Sequence, residues 1–151
     1  MADRARTIFL SKLLETEIRL ELDLILRKLG YTTTQYTMMS VIENARLPYS
    51  SAGLARRLRI TPQSANETVA SLDRHRLLLK KPDPNNGRAL LLSLSAKGRN
   101  VLSKLDAQID EAEARLFSVL SEEELRLFRE QLRRIVAARR ARFALDHDDT
   151  H

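Results

Sequence analysis

Apolar residues in the first 29 positions recur every three or four, the period of one face of an α-helix. Leu10, Leu14, Ile18, Leu22, Ile25 and Leu29 form the line, and Leu13, Leu20, Leu24 and Leu26 widen it. Gly30 then ends the helix, because a glycine readily takes the left-handed conformation that closes one. A stripe this broad needs cover on two sides, from the rest of the chain or from a second copy. Thr32, Thr33 and Thr34 supply caps for a second helix through Tyr36, Met38, Met39, Val41 and Ile42. That helix ends near Ala45, before the break Arg46-Leu47-Pro48. A short strand at Leu47–Tyr49 would follow.

Two short helices come next. Ser50 or Ser51 caps the first, with Leu54, Ala55 and Leu58 on its apolar side. Thr61-Pro62 opens the second: threonine caps, and proline suits a first helical position, where no intrahelical N–H bond is needed. Its apolar side is Ala65, Val69 and Leu72, and at 100° per residue the opposite side carries Gln63, Glu67, Ala70, Ser71 and Arg74. Two apolar strand-like runs follow, Leu77-Leu78-Leu79 and Ala89 to Leu94. They read as a short hairpin turning at Asn86-Gly87, with Lys80 and Lys81 at its base and Arg88 at its tip.

Ser95 begins a second long helix, with Leu102, Leu105, Ile109, Ala112, Leu116 and Val119 at the 3-4 spacing of a helix–helix seam. Ser121 and Glu124 form a capping box for a last helix carrying Leu125, Phe128, Leu132, Ile135, Val136 and Phe143. The reading is therefore mainly α with a small β-wing. A winged helix-turn-helix at 31–99 is embedded between helical dimerisation segments at 1–30 and 100–145, and a disordered tail occupies 146–151. Leu10, Leu14, Leu116, Val119, Leu132 and Ile135 are the dimerisation candidates.

Charge sharpens this picture. The net charge of +6 is unevenly spread. Residues 1–45 hold six basic and six acidic side chains, 46–104 hold twelve and three, and 105–151 hold eight and eleven. The excess is confined to the two short helices and the hairpin, which points to a polyanion partner. Gln, Asn, Ser and Glu can pair with base edges in the major groove, and small residues let a helix approach closely. Gln63, Ser64, Asn66, Glu67 and Ser71 are therefore candidate contacts, with Ser51 and Thr61 at the helix starts. Glu67, repelled by phosphates, must accept from a cytosine amino group or pair with a neighbouring arginine. Arg74, Lys80, Lys81 and Arg88 are candidates for phosphate or minor-groove binding.

Over nearly all of its length the chain resembles the MarR family of transcriptional regulators. The matching stretches are TTTQYTMMSVI, LARRLRITPQSANETVASLDRHRLL and KKPDPNNGRALLLSLSAKG. Asn86 stands where the family's wing aspartate is usual, Ser95 where threonine is usual, and Arg76 where glycine often precedes the first wing strand. The resemblance implies a homodimer whose recognition helices, about one duplex turn apart, read a pseudopalindrome in double-stranded DNA. It also implies repression relieved by a small aromatic or phenolic effector between the dimerisation helices and the DNA-binding lobe. Leu14, Ile18, Tyr36 and Met39 are candidates for lining such a pocket, although buried core is the simpler assignment for Tyr36, Met38 and Met39.

Other chemistries find little footing. The chain has no cysteine, which excludes disulfides and thiol sensing. His75, His147 and His151 are scattered, so no metal is expected; His75, between two arginines, is better placed near solvent or phosphate. No nucleophile–base set or phosphate loop suggests an enzyme, and no cofactor is expected. Without a signal peptide or a run of ~18 apolar residues, a soluble, cytoplasmic protein with no membrane partner is expected. The alternative to a regulator is a helical interaction module whose basic centre binds an acidic partner.

Overall fold

A computed structural model of the chain describes residues 5–148, with side chains to position 142. Six helices and one hairpin follow in order: α1 (Thr7–Lys28), α2 (Thr33–Glu43), α3 (Ser51–Leu58), α4 (Pro62–Arg74), β1 (Leu78–Asp83), β2 (Asn86–Leu94), α5 (Ala96–Leu116) and α6 (Glu122–Asp148). They group into two compact units, one through Ala112 and one from Glu113 onward.

The helix starts follow local chemistry. Thr32 caps α2 by accepting from the Gln35 amide, while the Gln35 side chain accepts from the Thr32 amide. Ser50, not Ser51, caps α3, and Thr61 caps α4 with Pro62 in its first turn. Each such cap satisfies a donor that the helix cannot. The helix ends share one device. Gly30, Arg59 and Arg76 all have positive φ, of 84°, 55° and 60°. After each, an amide bonds back into the last turn: Tyr31 to the Leu26 carbonyl, Ile60 to Ala55 and Leu77 to Leu72. This is the Schellman closure, which glycine normally performs. Here arginine performs it twice.

The first unit's core lies between α2, α3, α4, the hairpin and the start of α5. Met38, Met39, Leu54, Ala65, Leu72 and Leu77 are fully buried, with Leu92 and Leu94 entering from β2 and Leu102 from α5. The hairpin is antiparallel, pairing Leu78 with Leu94 and Lys81 with Leu91. Tyr49 adds a single bridge to Leu92, so the strand expected at Leu47–Tyr49 shrinks to one residue.

The wing turn differs from expectation. Asp83 pairs with Asn86, so Pro84 and Asn85 form the turn, not Asn86-Gly87. Proline presets the φ of the first turn position, and the Asp83 carboxylate accepts from the Asn85 amide at 2.8 Å. Between the Pro82–Leu90 and Asp83–Asn86 pairs the register shifts, leaving Gly87, Arg88 and Ala89 as a bulge on β2.

α1 buries only Leu26; Phe9, Leu10, Leu13, Leu20 and Leu24 are exposed, Leu13 to 60%. In the second unit, Phe117 packs against Phe128 with ring centroids 5.9 Å apart, and Arg129 pairs with Glu113. The capping box forms, Glu124 Oε2 accepting from the Ser121 amide at 2.8 Å. α6 has no buried residue among those described, and Leu132, Ile135 and Val136 are exposed.

Two expectations shift here. α5 ends at Leu116, and Val119 lies in the following turn, 87% exposed. It therefore lies beyond the helix on which its spacing placed it. α6 extends to Asp148, past the end expected at 145; residues 1–4 and 149–151, which belong to the expected first helix and tail, lie outside the described residues.

Candidate nucleic-acid interface

The site is assembled on α4. Ala65, Val69 and Leu72 point into the core, which turns the opposite face outward by helical geometry. Gln63, Glu67, Ala70 and Arg74, spaced 4-3-4, make one exposed stripe, with Asn66 exposed beside it.

The polar groups on this face are already engaged with each other. Gln63 Nε2 donates to Glu67 Oε1 at 3.0 Å, and Ser51 Oγ donates to Asn66 Oδ1 at 2.5 Å. Glu67 thus pairs with a glutamine of its own helix, where the expectation offered a cytosine amino group or a neighbouring arginine. Gln63 keeps its amide oxygen, Asn66 its amide NH₂ and Glu67 a second carboxylate oxygen, so both donors and acceptors face outward. Ser51 serves the α3–α4 junction, and the Thr61 hydroxyl is occupied by the Ser64 amide at 3.1 Å. Ser64 itself is partly buried.

Ser71 does not belong to the outer stripe. Its Oγ accepts from Gln35 Nε2 at 2.9 Å, on the α2 side of the helix. Ser71 stands 80° around the helix from Gln63, at 100° per residue, which explains how a residue grouped with the outer face comes to bond α2. His75 Nδ1 lies 2.8 Å from the Ser71 carbonyl oxygen, and His75 is exposed.

The end of α4 is tied to the start of α5. Lys97 Nζ donates to the His75 carbonyl at 2.9 Å, Ser95 Oγ to that of Arg76 at 2.8 Å, and the Ser95 amide to that of Leu77 at 2.9 Å. The approach is so close that a Cβ on Gly98 would sit 2.2 Å from the Leu77 carbonyl oxygen. Glycine is required there by space, not by conformation.

Exposed cations lie on the elements that precede and follow α4, at the end of α3 and on the wing. Arg88 sits in the wing bulge, its amide donating to Asn86 Oδ1 at 3.3 Å. The asparagine that replaces the usual aspartate therefore braces the turn instead of facing the guanidinium. Lys80 bonds Asp73 at 2.5 Å, so half of the expected Lys80-Lys81 pair is neutralised within the protein. Lys81, Arg74 and Arg88 are exposed. Arg56 and Arg57, at the end of α3, are exposed as well. Neither stands out in the sequence as an individual residue; both count there only in the charge of the segment.

A separate cleft of about 370 Å³ lies beside α2, lined by Tyr36, Thr37, Ser40, Val41, Asn44, Ala45, Tyr49 and Arg57. Ser40 Oγ is buried there without a hydrogen-bond partner among the described residues. Of the residues expected to line a pocket, Tyr36 lines this cleft. Met39 is fully buried in the core, and Leu14 and Ile18 are partly buried on α1 away from the cleft. Tyr36 donates to Asp106 Oδ1 at 2.9 Å. Burial, then this hydrogen bond and the charge behind it, pushes the phenol up to about 12.

No family model matches the chain. Among curated proteins it is similar to the HTH-type transcriptional repressor Rv2887 of Mycobacterium tuberculosis, 27% identical over 135 residues, 89% of this chain and 96% of the relative. The crystal structure of that MarR-family protein with salicylic acid has a TM-score of 0.72 at 27% identity, covering 89% of this chain and 99% of that one. Its complex with DNA has a TM-score of 0.74 at 24% identity, covering 87% and 98%. A crystal structure of MarR has a TM-score of 0.81 at 21% identity, covering 95% and 98%. Over almost the whole length of these relatives the chain is similar in sequence to a MarR-family repressor and shares the winged helix-turn-helix fold of the MarR structures.

Proposed function

We propose that the protein is a sequence-specific regulator that binds double-stranded DNA as a homodimer and represses transcription from a pseudopalindromic operator. The observation that carries this reading is the exposed Gln63–Arg74 stripe, together with the exposed Arg88 and Lys81 of the wing. The stripe offers base-reading donors and acceptors, and the cations supply charge for the flanking phosphates. α4 reads the major groove; the wing reaches the backbone or the minor groove. The repressor Rv2887 and its complex with DNA support the same reading.

The uncovered apolar face of α1 supports pairing with a second copy, since one chain leaves so much of it in water. Two modules raise avidity without new contacts. The effector is a small aromatic acid or phenol held in the cleft beside α2. Arg57 suits a carboxylate and Tyr36 and Tyr49 an aromatic ring. The salicylic acid complex of the relative supports that chemistry.

The test is selection from random duplexes, followed by anisotropy titration on the selected site and a scrambled one at near-physiological salt. A palindromic motif preferred by about 10³-fold or more is expected, the range of specific regulators. Equal, weak and steeply salt-dependent binding to every duplex would instead leave the basic centre to an acidic protein partner.

A further inference from the structure

Apolar contacts at Ala65, Val69 and Leu72 set which face of α4 turns outward, but burial is non-directional and leaves the last few degrees of roll to directional contacts. Roll matters at the outer face. At a helix radius of 5–6 Å, a 10° rotation carries a side-chain tip by about 1 Å, enough to break a base-edge hydrogen bond. What fixes roll is a directional bond on the flank. Ser71 stands there, about 80° from Gln63, and receives the Gln35 amide at 2.9 Å.

Gln35 is itself held in place. Its Oε1 accepts from the Thr32 amide at 2.8 Å, and its own amide donates to Thr32 Oγ1 at 3.1 Å. One residue on, Thr33 Oγ1 donates to Asp23 Oδ1 of α1 at 2.6 Å. The two halves of one carboxamide therefore join the capped start of α2, already fastened to α1, to the flank of the recognition helix.

We infer that Gln35 is a positioning residue for DNA readout: its amide brace to Ser71 sets the roll of α4, so base recognition is governed from the α1–α2 junction. The inference rests on the DNA-binding reading above. It separates Ser71 from the residues that touch DNA, because its hydroxyl acts through Gln35.

A double-mutant cycle tests it on the full-length protein and the motif selected by the wild type. Ser71→Ala removes the brace and leaves the cap. Gln35→Ala removes both, and Gln35→Glu keeps an acceptor for the Thr32 amide and for the Ser71 hydroxyl. Ser71→Ala and Gln35→Ala should each lower the preference for the selected site over a scrambled duplex by roughly three- to tenfold, the worth of one hydrogen bond. The double variant should lose no more than the larger single effect. Gln35→Glu should stay near wild type, and the salt dependence should not change, since no phosphate contact is lost. Losses that multiply, or a loss with Ser71→Ala and none with Gln35→Ala, overturn the brace while leaving the regulator intact. Thermal melts guard against an unfolded Gln35→Ala; if that variant melts, Ser71→Ala against Gln35→Glu decides the matter alone. A wild type that selects no motif overturns the regulator reading and this inference with it.

Discussion

Arg76 is an exposed local compromise. An L-residue with φ near 60° carries a cost of roughly 1–2 kcal/mol that glycine avoids, although glycine gives back about 0.5–1 kcal/mol in unfolded-state entropy. Arg76→Gly should therefore stabilise the protein by up to about 1 kcal/mol, read as a higher urea midpoint at unchanged slope. Arg59 has a similar φ of 55°, but Arg76 is the one that stands where the resembled family often has glycine. Tyr36 gives a second residue-scale prediction. Its phenol is raised from 10 to about 12 in the folded state, so the neutral form is the favoured one. The stability from its bond to Asp106 is complete below pH 10 and is lost as pH climbs through 12. Tyr36→Phe should be less stable than wild type at pH 8 by roughly 1 kcal/mol, and the gap should close by pH 12. Denaturation at the two pH values measures it.

At the scale of elements, helices were more legible than the hairpin. Caps and apolar periods are local, so Thr32, Ser50, Thr61 and Ser121 were readable as starts, within one residue at Ser50. The wing turn was not, because two turn signals compete within five residues and Pro84 with the Asp83 carboxylate prevails over Asn86-Gly87. Site residues divided the same way. Which side of α4 faces out followed from period alone, but Ser71 and Lys80 met partners in α2 and α4 that only tertiary structure brings together. The wing therefore has two kinds of cation, and DNA binding should distinguish them. Arg88→Ala should lower the salt slope of operator binding by roughly one. Lys80→Ala should lower it by clearly less, because Asp73 already neutralises that ammonium, and Asp73→Ala should restore a full phosphate contact. Titrations across a salt series give all three slopes.

For the molecule as a whole, the uncovered α1 face is the dominant feature. Its breadth was plain from leucine spacing, but spacing could not say whether the chain itself or a copy covers it. The chain buries Leu26, covers Leu14, Ile18, Leu22 and Ile25 in part, and leaves Phe9, Leu10, Leu13, Leu20 and Leu24 in water. Leu13→Glu changes a side chain that is 60% exposed, so the fold of one chain should tolerate it. In the proposed dimer the same change buries a charge at the contact. Sedimentation should show half the wild-type mass at micromolar concentration, and operator affinity should fall by at least tenfold. A chain that keeps α1 but has lost the Gln63–Arg74 stripe still recruits an intact partner and withdraws it from the promoter. Alleles damaged in α4 should thus be dominant over the wild type, and those damaged in α1 recessive, so inheritance alone would tell the two surfaces apart.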